Sequence, residues 1–520
     1  MKIERSKNAA RNVLFGGMLR VYSMLMPFLM RTVILYQLGV DFLGLDSLFA
    51  SILQVLNLAE LGIGSVLVFS MYKPIAEDDM TTICALMNLY RKVYRVIGLV
   101  VLAAGLVITP FVPALVNKGT PEGISLQTLY FMNLGTTVLS YWLFAYKNSL
   151  LYAYQRTDVG HKVHLVLDTL QYGLAILLIF VYHNYYLYLL TKLGFQVISN
   201  ITISRVVTRM FPDCKPQGEL GKEEKKGIVR RVKDLFTAQL GGMITNSADA
   251  IMISAFLGIR ELAMYQNYFF IISSLRATLE IILSASTAGI GNSLVVETKE
   301  KNYADFRKLT FLFCWITGLC CCMLMCLYQP FMTLWVGEDL LLSMPVAVSF
   351  VIYLYVYEIN RVTNVYKDAA GIWHEDRFRP LVASIVNIVL NALTIRWIGF
   401  FGVIFSTVIS VVGVQFPWLM HNLFQLVFPR KFRSAYMRSH LLYGAVATAV
   451  CVATYLLVLP IQLPLIPMLA VRFVISLILP NAVFLAVYRR TEEFQMTLEV
   501  VQRVTKGKLK FLNKLKKQTL

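Results

Sequence analysis

Runs of about 20 apolar residues recur along this whole chain, and nothing else restricts its fold so strongly. A run of that length matches the hydrocarbon thickness of a bilayer when coiled as an α-helix, and a helix satisfies its own backbone polar groups there. A window of about 19 residues predicts fourteen spans, at 12–37, 42–71, 94–116, 127–150, 161–182, 185–208, 235–257, 262–296, 309–335, 343–367, 380–397, 400–428, 441–459 and 467–488. Composition agrees. Only 15% of the 520 residues are charged, against about 25% in a soluble domain, and the mean hydropathy is +0.62. The expected fold is all-α and polytopic. Met1 to Arg11 forms a basic leader, but the apolar run behind it is too long for a cleaved signal, so the first helix is expected to stay.

The net charge of +19 reads as a topology signal. With the N-terminus inside, the predicted outer loops hold three basic residues, Lys118, Arg260 and Arg396. Six more lie within spans: Arg20, Arg31, Lys192, Arg276, Arg361 and Arg472. The rest of the 49 Lys and Arg fall in inner loops and tails. That inside excess places both termini in the cytoplasm of a multi-pass membrane protein and removes the case for nucleic-acid binding. The tail "GKLKFLNKLKKQTL" reads as a basic helix on the anionic inner leaflet.

The loops leave little room for chemistry. The longest inner one, "RMFPDCKPQGELGKEEKKGIVRRVK", is too short for a soluble catalytic domain. Phosphate-binding G-x-x-x-x-G-K-[ST], zinc-protease H-E-x-x-H and nucleophile-elbow G-x-S-x-G patterns do not occur. Within "CWITGLCCCMLMC" the cysteines read as small, soft packing. His161 and His164 share a helix face but lack an evident third metal ligand. These absences lead to the expectation of no enzyme activity and no cofactor or metal.

Weak internal matches suggest a duplication. "LGVDFLGL" resembles "LGIRELAM" 219 residues later, and "GIGSVLV" resembles "GIGNSLVV" 227 later. Each pair sits near the start of a six-span block. Blocks of even span number share one orientation, a parallel repeat. The expected organisation is a lobe at 1–208, a cytoplasmic linker at 209–234, a second pseudo-symmetric lobe at 235–428, two added helices at 429–488 and a basic tail at 489–520. A cavity between two such lobes suits a carrier.

Charged residues inside spans mark where cargo could sit. Arg20 and Arg31 lie about 16 Å apart along span one and within roughly 20° of one face. Each costs around 2.5–3.5 kcal/mol at a span centre on insertion scales, unless it snorkels to an interface. Arg276 lies mid-span in span eight with Glu280 one turn on. Glu60, Glu358 and Arg361 are further span charges, tolerable where they line water or pair with one another. Arginine binds phosphate oxygens in pairs and stays protonated, so Arg20, Arg31 and Arg276 fit a diphosphate. The competing reading makes Arg276–Glu280 and Glu358–Arg361 helix-internal salt bridges.

The fourteen spans, "LGVDFLGLDSLFASILQVLNLAELGIG" over spans one to two, the cationic span one and the Arg in span eight resemble the oligosaccharide flippases. These are the polysaccharide-transporter (Wzx-type) branch of the MATE-like, or MOP, superfamily, which also holds the MurJ-type flippases. The resemblance implies transfer of an undecaprenyl-diphosphate-linked oligosaccharide from the inner to the outer leaflet by alternating access, for surface polysaccharides such as lipopolysaccharide. It implies that Arg20, Arg31 and Arg276 are the positions that contact the diphosphate. Asn387 and Asn391 on span eleven, Asp249 on span seven and Thr407 on span twelve resemble the sodium ligands of the MurJ-type branch, except that Asn391 stands where that branch has a carboxylate. Interhelical hydrogen bonding is the other reading of those four. Expected partners are membrane lipid, the lipid-linked oligosaccharide and glycosyltransferases of the same pathway, with the chain itself a monomer. A cation-coupled multidrug exporter of the MATE type and a membrane glycan polymerase or ligase are the alternatives.

Overall fold

The computed structural model describes residues 5–116, 121 and 123–504, all helix and loop with no strand among them. Lys118 and the basic tail from 507 on lie outside the described residues. The chain divides into two compact units, Met1–Gln266 and Asn267–Leu520.

In the first unit α1 (Arg5–Gln37), α2 (Val40–Leu56), α3 (Ile63–Ala76), α4 (Met80–Ile108), the single turn α5 (Val112–Leu115), α6 (Leu126–Trp142), α7 (Asn148–Ala153), α8 (Thr157–Tyr182), α9 (Tyr185–Met210) and α10 (Lys222–Phe256) follow one another. The entry to α4 shows why they start where they do. The Asp79 side chain accepts from the Thr82 N–H at 3.0 Å, satisfying an otherwise orphaned donor. Hydrogen bonds from the Thr82 side chain and backbone hold that carboxyl below its usual range. Helix α1 packs on α8, α8 on α9, α6 on α4 and α9, and α2 on α10. At Gly44 the chain runs so close to Ile259 that a Cβ would strike its carbonyl oxygen. The sequence reading puts α10 in the second lobe, while its contacts here are with α2, α3 and α5. Membership of a repeat and membership of a compact unit are different properties of a helix.

Helix α11 (Ile259–Val296) runs across the division. The second unit continues with α12 (Lys299–Val336), α13 (Met344–Ala369), α14 (Arg379–Ser410), α15 (Phe416–Leu426), α16 (Arg433–Val458), α17 (Leu465–Tyr488) and α18 (Glu492–Val504). Its axis is α12, which packs against α13, α16, α17 and α18. Phe306, Phe313, Phe424, Phe428 and Tyr436 form one buried cluster there. Cys314, Cys321, Cys322, Cys326 and Cys451 are buried free thiols in the same unit. Ile398 and Gly399 leave helical geometry, Gly399 at φ 53°, where the sequence separates spans eleven and twelve. A positive φ of that kind carries no steric cost for glycine.

The predicted spans fall largely on these helices, but 42–71 is interrupted by the turn between α2 and α3, and 127–150 by the break between α6 and α7. By length and apolarity alone, nine runs among the described residues qualify as candidate spans. Helix α6 is short at 17 residues, and α9, α10 and α13 are diluted by polar residues, among them Lys192, Asp249, Glu358 and Arg361.

Candidate functional site

On α1 the two arginines differ. Arg20 is exposed, and no carboxylate among the described residues pairs with it. Arg31 is half-buried and lies in the field of Asp46 on α2 and Tyr188 on α9. Asp46 also accepts from the Tyr185 hydroxyl at 3.2 Å and has the Lys192 Nζ at 3.9 Å. Two cations therefore share one carboxylate between three helices. The sequence reading flagged Arg31 and Lys192 and missed Asp46, which lies at the outer end of an apolar run and forms no local charge pattern.

Glu60 ends the short turn that joins α2 to α3 and faces a cavity of about 800 Å³ inside the first unit. The Tyr94 hydroxyl donates to its carboxylate. Tyr141, also within hydrogen-bonding reach of Glu60, donates to Asn57 Oδ1 at 2.9 Å. Across the cavity the Gln196 amide donates to Asn200 Oδ1 at 3.1 Å. Five tyrosines and His164 contribute to the wall, and among the described residues no lysine or arginine does. Of these residues the sequence reading singled out Glu60 alone. The tyrosines lie too far along the chain from it to form a recognisable spacing.

In the second unit the charges pair between helices. Arg276 Nε on α11 stands 3.5 Å from Glu358 Oε1 on α13. Its Nη1 donates to the Tyr353 hydroxyl at 2.6 Å, and its guanidinium lies 3.5 Å from the Tyr357 ring centroid, a cation–π contact. Arg361 pairs with Glu280 and is 3.6 Å from Glu358. The local pairing of Glu358 with Arg361 is therefore present, while Arg276 meets Glu358 and Glu280 meets Arg361. Glu358 has no exposed surface, so two guanidinium groups neutralise a carboxylate that water does not reach. An anion approaching Arg276 would compete with that carboxylate.

Asn387 donates to Thr407 Oγ1 at 2.9 Å, and Asn391 lies 3.4 Å from Asn387 Oδ1. These three are buried in the second unit; Asp249, also buried, belongs to the first. Among the described residues no group of three or more His, Cys, Asp or Glu is placed to hold a metal ion.

No protein-family model and no curated protein matches this sequence. Solved structures do match its fold. The chain is similar to the lipid II flippase MurJ in an inward closed conformation, with TM-score 0.65, 14% identity, and coverage of 92% of this chain and 99% of that one. It is similar to an inward-facing multidrug-resistance MATE transporter of the MOP superfamily, with TM-score 0.57, 15% identity, and coverage of 81% and 99%. A MATE transporter of Vibrio cholerae matches with TM-score 0.51, 16% identity, and coverage of 82% and 98%. The chain thus shares the all-helical fold of these MurJ and MATE transporters.

Proposed function

We propose that the chain is a flippase, moving an undecaprenyl-diphosphate-linked oligosaccharide from the inner to the outer leaflet of the bacterial cytoplasmic membrane by alternating access. The observation that carries this reading is Arg20, an exposed arginine within an apolar run and without a carboxylate partner among the described residues. An unneutralised guanidinium there is costly unless an anion or water meets it, and it suits the oxygens of a diphosphate. Arg31 lies on the same helix, in the field of an Asp46 that Lys192 also reaches. Arg276, held by Glu358, would act only after exchanging that carboxylate for phosphate.

Fold coverage supports a lipid-linked cargo over a drug. The match to the lipid II flippase extends over 92% of the chain and that to the multidrug transporter over 81%. The difference, about a tenth of the chain, is close to the combined length of α16 and α17. The fourteen-span count, cytoplasmic termini, glycosyltransferase partners and coupling to Na⁺ or H⁺ belong to the same proposal.

The test uses cells whose surface glycan depends on this chain. Arg20→Ala is expected to leave the protein inserted at normal level, to cut surface glycan at least about tenfold, and to build up lipid-linked oligosaccharide in the inner leaflet. Arg31→Ala and Arg276→Ala are expected to act in the same direction. Full glycan in all three variants would overturn the assignment. Drug sensitivity on deletion, with glycan intact, would favour the multidrug reading, for which the lysine- and arginine-free wall around Glu60 is the one suggestive feature.

A further inference from the structure

The cavity around Glu60 is remote in chemistry from a phosphate site. Its wall carries a carboxylate, His164 and, among the described residues, no lysine or arginine, so a diphosphate entering it would meet like charge with no permanent cation to offset it. The wall is nevertheless rich in groups that both donate and accept hydrogen bonds. Asn57, Asn148, Gln196 and Asn200 bring amides, and Tyr94 and Tyr141 bring phenols beside flat apolar faces.

We infer that this cavity is a saccharide subsite, which takes one or two sugar units of the transported glycan while the diphosphate is held elsewhere. This inference rests on the flippase reading above. Three physical arguments favour a sugar. Vicinal hydroxyls are donors in pairs, and a carboxylate accepts two of them at once, while amides complete the pattern from either side. Tyrosine rings present an apolar face with a polar tip, which matches the C–H faces and hydroxyl rims of a pyranose. The size also fits. About 800 Å³ lies within the roughly 300–1,000 Å³ of small-molecule sites and would hold on the order of 25 waters at about 30 Å³ each. A bare monovalent cation would fill a small fraction of that space.

The hydrogen bonds already present fit a preorganised wall. Tyr94 is fixed on Glu60, the Tyr90 and Tyr94 hydroxyls lie 3.4 Å apart, and Gln196 locks Asn200. Asn200 in turn donates to the Ser140 carbonyl at 3.2 Å. Side chains held in this way lose little further freedom when a ligand docks. On the orientation given by the excess of Lys and Arg, the lining segments of α4, α7, α8 and α9 lie toward the cytoplasmic ends of their helices. Cargo taken up from the inner leaflet enters from that side.

The test is photo-crosslinking in cells whose surface glycan depends on this chain, fed tritiated glucosamine and galactose. A photoreactive phenylalanine replaces Tyr152, a cavity-wall residue that is aromatic and 53% exposed. The control position is Leu177 on the outer face of α8, 58% exposed. The expected result is about tenfold more tritium on the protein band from the Tyr152 position than from the Leu177 position. Glu60→Gln, and separately Asn200→Ala, are expected to lower that label about tenfold at unchanged protein level. Tyr141→Phe, a milder change, is expected to lower it two- to threefold. Equal label at both positions, in cells that still need this chain for glycan, overturns the subsite and leaves the flippase reading standing. Full label in Glu60→Gln combined with Asn200→Ala overturns it as well. If Glu60→Gln abolishes a sodium dependence of glycan output and keeps the label, the cavity is a cation site and the saccharide assignment falls. Surface glycan that does not depend on the chain at all ends the flippase reading and this inference with it.

Discussion

Glu60 in the first unit and Glu280 in the second are 220 residues apart, and so are the side chains they meet, Tyr141 and Arg361. The spacing falls among the 219- and 227-residue offsets of the internal sequence matches. The environments differ. Glu60 faces neutral phenols and a cavity whose wall holds His164 but, among the described residues, no lysine or arginine. Glu280 faces a guanidinium, which also reaches Glu358, which in turn reaches Arg276. Two arginines and two carboxylates cancel, so the second network is electrically closed and can serve to fix α11 against α13. The first keeps its negative charge available to a ligand. At positions 220 residues apart a phenol stands in one unit and a guanidinium in the other, and only the second carboxylate has a cation beside it.

The largest expected effect is on stability in the locked network. Arg361→Ala leaves Glu280 without a cation and Glu358, wholly buried, with Arg276 alone at 3.5 Å. Removing one partner of a buried pair exposes the desolvation penalty of the other, so the cost should be about 3 kcal/mol. Thermal unfolding in detergent measures it. Tyr141→Phe at the duplicated position should cost no more than about 1 kcal/mol, because cavity water can replace the lost donor. Equal losses at the two positions would break the comparison.

Tyr141→Arg should have the next largest effect, chiefly on transport. It imports the second unit's pair into the first, placing a guanidinium beside Glu60 and filling part of the cavity. Because Tyr141 is buried, repacking around the longer side chain should cost about 1–3 kcal/mol, short of unfolding the protein. Surface glycan output should fall about a hundredfold, equivalent to about 2.7 kcal/mol at 25 °C. Normal output with the arginine in place would mean that the open carboxylate has no role in transport.

The sequence carried the fold well and the site unevenly. Apolar length and helix period are local properties, so the predicted spans lie largely on helix and the break before Phe400 is visible from Gly399, while the breaks inside 42–71 and 127–150 are not. Arg276, Glu280, Glu358 and Arg361 were each recognisable as costly charges in apolar runs. Their partners were not, because Arg276 and Glu358 lie on different helices and one-turn spacing pointed to Glu280 instead. Asp46 escaped notice for the same reason, being joined to Lys192 and Tyr185 only by packing of α2 on α9. The five-tyrosine wall is a property of four or more helices meeting, and no window along the chain contains it.

The smallest expected effect is also the most discriminating, since it measures interaction and not loss. A double-mutant cycle of Tyr94→Phe with Glu60→Gln should give a coupling of about 0.5–1 kcal/mol, the worth of a hydrogen bond whose acceptor water can reach. The matching cycle, Arg361→Met with Glu280→Gln, should give a larger coupling of about 1.5–3 kcal/mol, tempered because Glu280 is 48% exposed. Both are read from unfolding midpoints of the four variants in each cycle. A coupling around Glu60 as large as that around Glu280 would mean that the first carboxylate is already committed to its own protein. No hydrogen-bonding capacity would then remain for a sugar, and the two units would differ in composition without differing in what they can bind.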